Sequence, residues 1–123
     1  MKILHIGKAE NMERYTPDVP AAKTARVAEM PMGHTAQEYA AAMPDAEVIV
    51  ADAIAEVPGE LMEKLPQLKM IHSEGVAFNR IDVAAASARG ISVCNCAGMN
   101  ASAVAEQTIL LMEGMLKNVI VND

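Results

Sequence analysis

Few side chains in this sequence of 123 residues could do acid, base or nucleophilic work: three histidines, two cysteines and 16 carboxylates. His5 and His72 fall inside apolar runs, where a histidine satisfied within the core is the expected role. Neither they nor His34 has a Ser or Cys at a spacing that proposes a triad. Cys94 and Cys96 stand in "VCNC". On a strand they would share a face, at a separation near the limit for bridging. Reduced thiols are expected, because a metal site lacks the second ligand pair it would need. Glu56, Glu60 and Glu63 read as a solvated helix face rather than an acid/base pair. No G-x-G-x-x-G occurs, so the chain carries no dinucleotide fingerprint of its own.

The backbone offers what the side chains do not. In "IHSEGVAFNRID", residues 71–82, an apolar strand runs into a loop and then into an alanine-rich helix. Gly75 is free to take positive φ, and the small Ala77 leaves the main chain approachable. Consecutive amides in such a turn converge into a nest for an oxyanion, which needs no charged side chain. The other reading is a plain turn whose Phe78 plugs the core. Asp52 and Ser73, each ending an apolar run, raise the possibility of a phosphoacceptor site. That chemistry also needs an acidic pair after the first strand and a lysine after the fifth. The chain has Gly7-Lys8-Ala9 and Asn95-Cys96-Ala97 there instead. A flavin site is disfavoured by the lack of a Ser/Thr-rich phosphate loop and by a chain whose only aromatics are Tyr15, Tyr39 and Phe78.

These positions need a scaffold, and the apolar runs supply one. "KILHIG", "ARVAEM", "EVIVAD", "LKMIHS" and "ISVCNC" read as five strands. "AENMERY", "HTAQEYAAAMPDA", "PGELMEKLP", "DVAAASARG" and "NASAVAEQTILLMEGMLKN" read as the helices after them. Thr35 and Glu38 are spaced as a capping box, and Pro58 sits in a first turn. Asp82 is the expected N-cap of the fourth helix and Gly90 its left-handed stop. Strict strand–helix alternation implies a single α/β domain over residues 1–123: a doubly wound, five-stranded parallel sheet of flavodoxin-like order 2-1-3-4-5 with helices on both faces. Ligands of such sheets bind beyond the carboxyl ends of the strands, where Lys8, Asp52, Ala53, the 73–79 loop and residues 96–100 should gather.

Composition narrows the partners. A net charge of −6 and a pI near 5 leave no basic stripe for nucleic acid. No apolar run approaches the roughly 20 residues of a membrane span, and the N-terminal run is too brief for a signal peptide. With reduced thiols, this suits a cytoplasmic protein.

The stretch "LPQLKMIHSEGVAFNRIDVAAASARGISVCNCAGMNASAVAEQTILLM" resembles the D-isomer-specific 2-hydroxyacid dehydrogenase family. The family's P-L-K-I strand, G-x-G/A-x-D/N-x-I-D loop, A-x-x-R-G-I-x-V segment and N-A-x-A-V-A-E helix start match residues 66–71, 75–82, 85–93 and 100–106. The first half of the chain matches only in its alternation. The resemblance implies a substrate-binding domain of an NAD-dependent enzyme, ahead of a Rossmann cofactor domain. It implies that amides around Gly75, Val76 and Ala77 hold the carboxylate of a 2-keto or 2-hydroxy acid, and that Ala53 and Ile54 line the substrate pocket. It implies that Val76, Asn100, Val104 and Thr108 approach the cofactor's nicotinamide end. The family's catalytic Arg, Glu and His come from the cofactor domain, and no Arg or His here matches them. No catalytic residue is therefore expected in this chain, nor NAD bound to it alone, nor any metal. Val76 stands where some members place a functional lysine, and Arg80 where Asn is more usual.

The expected functions are thus an inactive substrate-binding half, completed by the missing Rossmann domain, or a stand-alone non-enzymatic flavodoxin-like module. Residues 101–123 read as a long helix and tail that would cross to the cofactor domain. Ile109, Glu113, Leu116 and Ile120 fall on one face of it. Glu113 either solubilises a surface that the other domain would cover or is a partly exposed native glutamate. The β-branched tail could fray, extend the helix or pair with a sheet edge in another copy, so a monomer or weak homodimer is expected.

Overall fold

The computed structural model describes residues 1–119, with Glu13 and Tyr15 described by backbone alone. Five strands form one parallel sheet of order β2-β1-β3-β4-β5: β1 (Lys2–Ile6), β2 (Arg26–Met30), β3 (Val48–Ala51), β4 (Met70–Ser73) and β5 (Ser92–Cys94). The helices between and after them are α1 (Ala9–Tyr15), α2 (Pro20–Lys23), α3 (Ala36–Ala42), α4 (Gly59–Lys64), α5 (Val83–Ala88) and α6 (Ala101–Leu116). The expected topology is the observed one.

Strand alternation divides the sheet into two unlike faces. Leu4, Ile6, Ile49, Ala51 and Ile71 point to one side. There they join Tyr39 and Ala40 of α3, Leu61 and Met62 of α4 and Ala86 of α5 in a continuous core. Each fully buried Leu or Ile contributes about 1.5–3 kcal/mol relative to exposure. The other side carries two rows set by the register, Ile3-Val48-Met70-Ser92 and His5-Val50-His72-Cys94. Those rows are buried at β1 and open progressively toward β5, where Ser92 and Cys94 are exposed.

Local chemistry fixes most boundaries. Thr35 Oγ1 accepts from the Glu38 amide while Glu38 Oε2 accepts from the Thr35 amide at 2.7 Å, closing the capping box of α3. Asp82 Oδ1 accepts from the Ala85 amide at 2.9 Å, and Gly90 ends the turn after α5 at φ +69°. Pro58 is the N-cap of α4 rather than a residue of its first turn. β5 is half its expected length, because Asn95 and Cys96 leave the ladder to bond the neighbouring loop. α2 was not expected at all; Pro20 at its start fixes the φ that four residues need to close one turn.

α6 is the exception to compact packing. It is the longest helix and buries no residue. Ile109, Leu110, Leu111, Met112, Met115 and Leu116 are all exposed. Ile120 and the rest of the tail after Val119, where fraying, helix extension and pairing with a sheet edge were all open, lie outside the described residues.

Candidate functional site

β4 ends at Ser73, and the chain crosses the carboxyl edge of the sheet before α5 begins. The Glu74 amide donates to Ala51 O at 2.8 Å, carrying the ladder one residue beyond β4. Ser73 is buried, and its hydroxyl donates to Ala77 O at 2.6 Å, which folds the loop back on itself. Two further donors come from beyond β5. Asn95 Nδ2 donates to Val76 O at 2.7 Å, and the Cys96 amide donates to Gly75 O at 2.9 Å. Three consecutive carbonyls are thus tied inward.

The amides of the same residues are left available. The Gly75 N–H reaches Ser73 Oγ only at 3.4 Å, and no group among the described residues accepts from the Val76 or Ala77 N–H. Adjacent N–H groups without partners form a patch of positive potential suited to an oxyanion. Arg80 adds no free cation here, since its guanidinium pairs with Glu56 at 2.8 Å.

The opposing wall comes from the turn after β3. Asp52 Oδ1 accepts from the Ile54 amide at 3.1 Å, which holds that turn in shape. Ala53 packs against Gly75 so closely that a Cβ on Gly75 would lie 2.5 Å from Ala53 Cβ. Ala53 is half-buried and Ile54 is 62% exposed. Asp52 and Ser73 are therefore occupied in shaping two turns, in keeping with setting aside a phosphoacceptor role.

Several expectations need correction. Gly75 is not among the residues of positive φ, which are Gly33, Gly90, Gly98 and Asn118; its role is size, not backbone freedom. Phe78 is 49% exposed and does not plug the core. His5 is buried as expected, but its ring finds no hydrogen-bond partner among the described residues. Glu74 Oε1 lies 3.3 Å from its Nε2 without the alignment of a hydrogen bond, and among the described residues both ring nitrogens and Glu74 Oε2 make none. His72 is only half-buried, and its Nε2 lies 3.7 Å from Cys96 Sγ.

The residues expected at a cofactor are less tightly gathered. Val76 is 46% exposed on the loop itself. Asn100 is the N-cap of α6 without a side-chain cap bond, and Val104 is exposed one turn later. The Thr108 hydroxyl donates to Val104 O at 2.7 Å. The loop is joined to this end of α6 through Asn95 and Cys96, which sequence reading passed over as site residues. The signal for Asn95 was a polar side chain just beyond an apolar strand, at the edge where ligands bind.

Known proteins sharpen this picture. The profile of the D-isomer specific 2-hydroxyacid dehydrogenase catalytic domain matches residues 9–119. A D-3-phosphoglycerate dehydrogenase of Methanocaldococcus jannaschii is 35% identical over 91 residues, which are 74% of this chain and 17% of that protein. One from Archaeoglobus fulgidus is 36% identical over 84 residues, 68% of this chain and 16% of that protein. The fold superposes on a 2-hydroxyacid dehydrogenase from Ketogulonicigenium vulgare with a TM-score of 0.76 at 23% identity, over 97% of this chain and 36% of that one. It superposes on an NAD+-bound 3-phosphoglycerate dehydrogenase from Entamoeba histolytica with a TM-score of 0.71 at 23% identity, over 91% of this chain and 38% of that one. The matched part is thus a minor share of each relative's length. By sequence and by the fold that carries it, the chain belongs to the D-isomer specific 2-hydroxyacid dehydrogenase family and corresponds to its catalytic domain.

Proposed function

We propose that the 75–77 loop and the turn at Ala53 and Ile54 form the substrate wall of an NAD-dependent D-2-hydroxyacid dehydrogenase, binding the carboxylate of a small 2-keto or 2-hydroxy acid. The observation that carries this reading is the pairing pattern of the loop. The carbonyls of Gly75, Val76 and Ala77 are tied to Cys96, Asn95 and Ser73, while the Val76 and Ala77 amides donate to nothing among the described residues. Two amides held by a rigid loop can take the carboxylate's oxygens and fix the direction of the neighbouring carbon. The exposed Ile54 side chain lies beside that wall and offers apolar contact to the substrate's substituent.

The residues fit a nicotinamide cofactor along one side only. Val76 and Val104 offer exposed apolar surface and Asn100 an uncommitted amide, whereas the Thr108 hydroxyl is already held within its helix. NAD would supply the hydride acceptor or donor. The three histidines are placed elsewhere: His5 is buried, His34 lies beside Glu38 at 3.5 Å, and His72 pairs with Cys96. A proton donor to the substrate carbonyl and the main grip on the cofactor are therefore assigned to a Rossmann domain, and the 123-residue chain by itself is inactive. The exposed apolar surface of α6 supports that assignment, since a helix apolar on several sides is a buried helix.

Titrating the isotope-labelled chain with pyruvate or glyoxylate should move the Val76 and Ala77 amide resonances at millimolar ligand, while NADH oxidation stays at background. Adding a separately produced cofactor domain should restore oxidation. Shifts confined to other residues, with none at Val76 and Ala77, would defeat the carboxylate assignment and favour a module without this activity. Turnover by the chain alone would defeat the division of labour.

A further inference from the structure

We propose that Cys96 is a peroxide-reactive thiol, with His72 as its proton acceptor. Cys96 Sγ lies 3.7 Å from His72 Nε2 and 3.6 Å from Ser73 O. Both side chains line a hollow of about 630 Å³ between α1 and the sheet, which Met12, Thr16, Val50 and Glu74 also border. A small neutral oxidant has room there beside the sulfur. Glu74 brings a carboxylate to the same hollow, with Oε1 3.3 Å from His5 Nε2 and Oε2 without a hydrogen bond among the described residues.

The chemistry balances without a cofactor. The thiol proton passes to His72 Nε2. Sulfur attacks one peroxide oxygen, an S–O bond forms and the O–O bond breaks. The departing hydroxide takes the proton back from the imidazolium and leaves as water. Cys96 is oxidised by two electrons to a sulfenic acid, and the peroxide is reduced.

Cys94 is an internal reference. It is the more exposed thiol, and although it neighbours His72 across the β4–β5 ladder, no hydrogen bond joins its sulfur to an imidazole among the described residues. Exposure alone would make Cys94 the faster of the two, whereas pairing with a base makes it Cys96. The Cys96 amide also holds Gly75 O at 2.9 Å, so oxidation there reaches the loop. Only that consequence rests on the carboxylate reading given above; the reactivity of the thiol does not.

Two single-thiol chains, C94S and C96S, separate the cases. Each is treated with hydrogen peroxide at neutral pH and its sulfenic acid trapped with dimedone, followed by intact mass. The C94S chain should label about tenfold faster than C96S, and the two should converge in urea. Adding H72Q to C94S should slow it to the C96S rate. Equal or faster labelling of C96S overturns the proposal, as does an H72Q rate unchanged from C94S. If H72Q fails to fold, the comparison of the two single-thiol chains still decides.

Discussion

Gly75 is required for its size. A Cβ there would stand 2.5 Å from Ala53 Cβ, so Gly75→Ala must push the loop off the β3 turn. Urea unfolding should show a loss of about 1–3 kcal/mol, in the range for overpacking a close contact. The Val76 and Ala77 amide shifts with pyruvate should disappear with it. Gly7→Ala is a milder test, because its Cβ would meet His5 Nε2 at 3.0 Å rather than carbon at 2.5 Å. The sequence pointed to Gly75 for the wrong reason: a glycine before a helix suggests a left-handed turn, and only packing reveals a steric demand. Phe78 misled for a similar reason. A lone aromatic beside a strand looks like core, but the loop lifts it to the surface once Ser73 has tied Ala77. The Cys96–His72 pair was invisible because its members are 24 residues apart and meet only through the β4–β5 register.

The capping elements were legible because their chemistry is local. Thr35 and Glu38 close both halves of a box within four residues, so Thr35→Ala should cost about 1 kcal/mol by urea or thermal unfolding. The same element gives an acid dependence. Hydrogen bonds from the Thr35 amide and hydroxyl hold the Glu38 carboxyl below its usual range. The Lys2 ammonium does the same for Asp45, and Lys69, with the Lys2 amide, for Glu47. A carboxyl depressed by folding stabilises the native state fully above its unfolded value and loses that contribution as pH falls through the lower folded value. Unfolding followed from neutral pH into the acid carboxylate range should show stability falling, and Glu38→Gln should flatten that fall. The effect is small because all three groups are solvated. β5 shows where local reading stops. Nothing in "ISVCNC" says that its last two residues serve a neighbouring loop, since their partners lie near residue 75.

At the scale of the molecule, alternation yielded the parallel sheet, and five strands in a chain of this length suited the order observed, because right-handed crossovers leave few arrangements. It could not reveal that α6 would stand clear of the sheet. A groove near its C-terminal end is lined by Leu110, Leu111 and Met115, with Glu113 beside them. Glu113→Leu should therefore raise self-association of the chain, measured by sedimentation; an unchanged distribution would remove solubilisation as the role of Glu113. The body should unfold at the same urea concentration whether or not α6 is present, since no buried residue comes from it. Mechanically, α6 is a lever. Its 16 residues make an arm about 24 Å long. Its near end follows Gly98, at φ +82°, and Asn95 and Cys96, which hold the loop carbonyls. Whatever grips Met115 and Leu116 at the far end thereby gains purchase on the residues that hold Gly75 and Val76.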